Sequence, residues 1–79
     1  MVTCTSEFLV EPFTEGSQGD HVVAAIDAVG AAGFEPIVGP FGTSIEGEPA
    51  AVFAALDDMI QAAMAAGASR VAITTTVVQ

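Results

Sequence analysis

From Val2 to Pro12 the chain alternates, with Cys4, Ser6, Phe8 and Val10 on one side and Thr5, Glu7, Leu9 and Glu11 on the other. A period of two sends successive side chains to opposite faces of a β-strand. Pro12 ends the run because it has no N–H to give to a ladder. The polar, Gly-bearing stretch from Thr14 to Gly19 then reads as a loop. At Asp20 the period changes. Val22, Ile26 and Val29 recur at helical spacing with Ala25 beside them, forming one apolar stripe. Asp20 is the expected N-cap, with Ser17 and Gly19 as alternatives. Gly33 stops the helix by accepting the left-handed conformation that ends so many helices.

Phe34 to Val38 predicts a second strand. In Gly39-Pro40-Phe41-Gly42, proline presets one backbone angle and the glycines tolerate unusual ones, so a turn is expected. Alternation resumes in Thr43-Ser44-Ile45-Glu46, which makes the unit a hairpin. Pro49 suits the first position of a second helix, and Glu48 favours the positive end of its dipole. The predicted inner stripe of that helix is Val52, Phe53, Leu56, Ile60 and Ala63, and Gly67 ends it. Val71 to Val78 alternates again as a last strand. The order is βαββαβ, without an internal sequence repeat. Right-handed crossovers then predict an α+β, ferredoxin-like sandwich. Its antiparallel sheet runs 4-1-3-2, with both helices on one face. Residues 1–79 make a single domain of this kind.

Two helices cover only one face of such a sheet. Phe8, Val10, Ile45, Val71 and Ile73 are expected to point toward them, and Glu7, Leu9, Ser44, Glu46, Thr74 and Thr76 toward the open face. Strands 1 and 3 are neighbours, so Glu7 and Glu46 approach each other there. Like charges placed together raise one another's pKa or attract a cation. Solvated carboxylates are the plain alternative. The sharper reading packs a second subunit on this face and leaves a polar pocket for a cationic or hydrogen-bonding ligand. A slip of one residue would reverse every one of these assignments.

Composition narrows the choice of ligand. The chain has 79 residues, ten of them acidic and one, Arg70, basic, for a formal charge of −9. Nucleic acid and anionic membranes need a basic surface that one arginine does not supply. No lysine is present for a Schiff base. With 52% hydrophobic residues, the chain carries more apolar matter than so small a domain needs, which points to a homo-oligomer. No apolar run reaches the roughly 18 residues of a membrane span. Cys4 is the single cysteine, so no internal disulfide forms, and the first residues do not resemble a signal peptide. The expected location is the cytoplasm.

Catalytic chemistry is thinly represented. One Cys and one His without paired spacing do not make a zinc site, and no EF-hand loop, P-loop, dinucleotide fingerprint or nucleophile elbow occurs. Cys4 reads as a packed thiol, His21 as an ordinary residue of the first helical turn, and Thr74-Thr75-Thr76 as β-propensity. Asp57 and Asp58 belong to the outer side of the second helix. Acylphosphatase, an enzyme with this topology, needs a phosphate-cradling Arg loop and an Asn. The chain has no Asn, and Arg70 sits at the last strand. The reading is a binding protein, with no catalytic residues, no metal and no cofactor.

Pro40-Phe41-Gly42-Thr43-Ser44-Ile45-Glu46-Gly47 resembles the signature of a small thiamine-binding family related to the tandem-domain YkoF proteins. That signature is Pro, an apolar residue, then Gly-Thr-x-Ile-Glu-Gly. Glu7-Phe8 and Pro12 match the family's first strand, Ser17 falls in its Ser-bearing loop, and Gly67-Ala68-Ser69-Arg70-Val71 matches the step into its last strand. The loop before the first helix is about one residue shorter than usual, and the second helix is Ala-rich and lacks the family's lysines. The resemblance implies a ferredoxin-like homotetramer that binds thiamine or its hydroxymethylpyrimidine part without catalysis, in salvage or homeostasis. Carried onto this chain, the ligand-binding positions are Ser17, Thr43, Ser44 and Glu46, with Glu7 as a further carboxylate. Phe41 is a candidate aromatic wall. An ACT-like regulatory module and a ligand-free structural oligomer are the competing readings of the same fold.

Overall fold

The structure, a computed structural model, describes residues 2–12, 19–39 and 42–78. Its elements are β1 (Thr3–Glu11), α1 (Asp20–Ala31), β2 (Ile37–Gly39), β3 (Gly42–Gly47), α2 (Pro49–Ala65) and β4 (Arg70–Val78). The four strands form one antiparallel sheet in the order β2-β3-β1-β4, as the crossovers require. The fold is the ferredoxin-like βαββαβ sandwich.

The alternation in β1 sets the layers. Cys4, Ser6, Phe8 and Val10 are buried on the helix side. Ile45 of β3 joins them, with Ala25 and Val29 of α1 and Val52, Ala55, Leu56, Met59 and Ala63 of α2. Alanine at so many inward positions lets the two helices pack close together, and Met59, wholly buried, fills the space between larger groups.

The helix ends follow local chemistry. Gly33 and Gly67 take positive φ values of 97° and 106° just past α1 and α2, a region closed to most side chains. Glu48 is the N-cap of α2, and its carboxylate accepts from the Ala50 and Ala51 N–H groups at 3.3 Å each. Pro49 follows at the first helical position. At α1 the boundary moves from the expectation. Gly19 is the N-cap, and Asp20 is the first helical residue. There its charge still faces the positive end of the dipole.

Two other expectations change. The predicted stripe put Phe53 inside, but it is 51% exposed, and Ala55 and Met59 hold inward positions instead. A helix so rich in Ala has no unique apolar phase, so packing chooses the face. The second strand begins at Ile37 rather than Phe34. Phe34 packs against the core on the helix side, so the chain descends from the helix layer before it meets β3.

β4 is the least covered element. Val71 is half-buried, and every residue from Ala72 to Val78 is exposed. Both helices pack over β1, and α2 also reaches β3, which leaves most of this edge strand bare on both faces.

Candidate functional site at the open sheet face

Directly opposed residues in an antiparallel ladder share a face. Glu7 of β1 lies opposite Ser44 of β3 and Thr74 of β4, and Ser44 lies opposite Ile37 of β2. Ile37, Ser44, Glu7 and Thr74 thus form one row across the open face. The next row is Glu46, Thr5 and Thr76. Glu7 and Glu46 share this face as expected, but as diagonal neighbours, which in ladders of this kind stand about 7–8 Å apart. The partner of Glu46 is Thr5, whose hydroxyl donates to Glu46 Oε2 at 2.9 Å. That bond holds the carboxylate along the sheet surface.

The candidate residues are not all brought together. Glu7, Ser44 and Glu46 meet on the open face. Thr43 faces the helices, opposite Phe8, and is 6% exposed. Ser17 and Phe41 lie outside the described residues.

An open cleft of about 400 Å³ adjoins the carboxylate side of this surface. Thr5, Ser44, Ile45 and Glu46 line it together with Gly33, Phe34, Glu35 and Ile37. Its origin is topological. The β2–β3 ladder stops at Ile37 and Ser44, so Glu46 has no β2 partner and the edge of β3 stands free. Thr5, Phe34 and Glu35 escaped the sequence reading. The parity of Thr5 with Glu7 was an available signal for the first. Nothing local signals the other two, because their position depends on where β2 joins the sheet.

The signature glycines have steric reasons. A Cβ built on Gly42 would lie 3.0 Å from the Phe8 carbonyl oxygen and 3.3 Å from Glu7 Cγ. On Gly47 it would lie 3.0 Å from Cε1 of the Phe34 ring. Backbone cannot yield as a ring edge can. Gly42→Ala is therefore expected to lose about 1–3 kcal/mol of stability, and Gly47→Ala distinctly less. Urea unfolding of the two variants side by side measures the difference.

The remaining polar groups are accounted for elsewhere. Ser6 and Thr75 pair through their hydroxyls at 2.7 Å on the helix side. His21 Nε2 meets the Pro12 carbonyl. Arg70 pairs with Glu11 at 3.7 Å, exposed, at the other end of β1. Among the described residues no group of three His, Cys, Asp or Glu is placed to hold a metal ion. Among the described residues no helix is long and apolar enough to cross a membrane.

Comparison with known proteins adds to this geometry. Among solved structures, the chain is similar to a domain of unknown function from Bacillus cereus, at 27% identity and a TM-score of 0.72 over 98% of this chain and 75% of that one. It is similar in fold to a proposed thiamine biosynthesis/salvage protein of Thermotoga maritima, at 19% identity and a TM-score of 0.66, covering 99% of this chain and 82% of the other. A hypothetical protein of Methanocaldococcus jannaschii shares the fold at 17% identity and a TM-score of 0.71, over 98% and 79% of the two chains. No curated protein matches. The model of the family described as "Thiamine-binding protein" matches residues 6–78, which takes in β1 from Ser6 onward, the Gly42–Gly47 signature strand and all of β4. The chain belongs to the thiamine-binding protein family.

Proposed function

We propose that this protein binds thiamine or its hydroxymethylpyrimidine part, without catalysis, in the cleft at the free edge of β3. The observation that carries the reading is the Thr5–Glu46 pair, a carboxylate held by a hydroxyl on the wall of an apolar-sided cleft. Its volume falls in the range of small-molecule sites, roughly 300–1,000 Å³. Glu46 accepts from the exocyclic amine of the pyrimidine, the Ser44 hydroxyl both donates and accepts, and Phe34 and Ile37 supply apolar walls. Glu7, one strand further along the open face, balances the thiazolium charge. The biological setting is thiamine salvage or homeostasis in the cytoplasm.

A second copy of the chain completes the site. Two surfaces favour it. One is the open sheet face, where Leu9, Ile37 and Val78 stand among the polar rows. The other is β4, with Ile73, Val77 and Val78 exposed. Two different self-complementary surfaces on one chain assemble into a closed tetramer of twofold symmetry. The cleft, open in one subunit, then lies at or near a subunit interface.

Calorimetric titration at millimolar ligand tests the binding. Thiamine or hydroxymethylpyrimidine is expected to give saturable heat, and amino acids none. Heat from amino acids alone would favour the ACT-like reading, and silence from every ligand would leave a structural oligomer.

A further inference from the structure

We infer that Gly47 is a positioning residue of the cleft: the niche it leaves at the end of β3 seats the Phe34 ring, and through that ring it sets the ligand affinity without touching the ligand. The inference rests on the binding reading above and concerns what shapes that same site.

Part of the cleft lining stands outside the sheet. The β2–β3 ladder reaches no further than Ile37 and Ser44, so Gly33, Phe34 and Glu35 line the cleft without a strand partner. The backbone of this stretch is tied back to α1. The Gly33 N–H donates to the Gly30 carbonyl at 3.0 Å, and the Phe34 N–H to the Val29 carbonyl at 3.1 Å. Against the end of β3 stands the Phe34 ring. A Cβ built on Gly47 would lie 3.0 Å from Cε1 and 3.6 Å from Cζ of that ring, and 3.7 Å from Val52 Cγ2. Phe34 therefore belongs to the core and to the cleft lining at once. The edge of its ring occupies the space that a side chain at position 47 would take.

Alternation separates Gly47 from the ligand. Glu46 is on the open face, and Gly47, opposite the buried Cys4, is on the helix side and does not line the cleft. A substituent there meets Phe34 and Val52 first, and of these two Phe34 alone lines the cleft. A methyl group at position 47 thus reaches the cleft by displacing the ring. Carbon atoms pack best at about 3.5–4.0 Å, so from 3.0 Å the ring retreats by roughly half an ångström. Binding geometry is held to about that tolerance, so the shift is felt as affinity.

A double-substitution cycle on the whole protein tests this, read by calorimetry with thiamine and by urea unfolding. Gly47→Ala is expected to weaken thiamine about threefold to tenfold, within the range over which contacting residues couple. Phe34→Leu and Phe34→Met keep an apolar side chain on the core and remove the ring edge. Added to either, Gly47→Ala should cost less than about twofold, because the methyl group then has room. Gly42→Ala, which loses more stability, should weaken thiamine less than Gly47→Ala does, and by the same factor with or without Phe34→Leu. A mere loss of stability would reverse that order. Unchanged affinity in Gly47→Ala, or an undiminished loss in the Phe34→Leu and Phe34→Met backgrounds, overturns the inference and leaves the binding function standing. A wild-type protein that takes up neither thiamine nor hydroxymethylpyrimidine removes the binding reading and this inference together.

Discussion

Glu46→Gln is expected to weaken thiamine binding about tenfold to a hundredfold while the protein stays folded. A hydrogen bond to a charged group contributes roughly 1.5–3 kcal/mol, and each 1.4 kcal/mol is a factor of about ten in affinity. Glutamine keeps the length and planarity of the side chain, and its carbonyl still accepts from Thr5. What it removes is the charge and one acceptor. Glu46 is exposed, so stability should move by no more than about 0.5 kcal/mol. Glu7→Gln should matter less, because Glu7, two residues along β1 from Thr5, does not line the cleft. Thr5→Val should also weaken binding by less, since it frees the Glu46 carboxylate without removing it. Calorimetry with circular dichroism as the folding control separates the three. Wild-type affinity in Glu46→Gln would move the site away from the β3 edge.

The layers of this fold were legible because a strand has a period of two and a short hairpin leaves little freedom of register. Gly39 and Gly42 close a two-residue connection, which sets Ile37 against Ser44 and carries Glu46 to Thr5. From there the open face follows from parity. Parity also places Thr43 with Ile45, on the helix side. The family signature, read as a string, does not show that alternation, which puts Thr43 on the helix side and Ser44 and Glu46 on the open face. Helix α2 was less legible. Alanine around most of its circumference allows several rotations, and Met59 rather than Phe53 turned inward. Glu35 and Phe34 were the least legible of all. Their place in the cleft depends on Gly47 admitting the Phe34 ring, a contact between an α1–β2 connection and the end of β3. No window of local sequence contains both partners.

Val77→Glu is expected to halve the assembly, from a tetramer to pairs of 7.9 kDa chains joined through the open sheet face, at micromolar concentration. β4 is a nine-residue strand at the sheet edge, and after Arg70 it carries no charge, proline or glycine up to Val78. Those are the devices by which free edges avoid pairing. Their absence, with Ile73, Val77 and Val78 at 36%, 56% and 48% exposed, is what supports β4 as the proposed contact with another copy. Val77 is exposed within the subunit, so the fold survives its loss. In a twofold contact the substitution appears twice, which puts two carboxylates into an apolar seam between subunits that each carry a charge of −9. Like charges at an interface cost several kcal/mol, about a hundredfold or more in the dissociation constant. Light scattering reads the mass directly, with Gln61→Glu on the exposed side of α2 as a control that should leave assembly intact. A wild-type protein already monomeric, or a Val77→Glu protein of unchanged mass, would reject β4 as the contact. The same variant also tells whether assembly and binding are coupled. If the subunit across β4 closes the cleft, the dissociated variant should lose thiamine affinity although every lining residue is intact. If affinity persists, the free edge of β3 holds the ligand alone, and the bare surface of β4 serves assembly only.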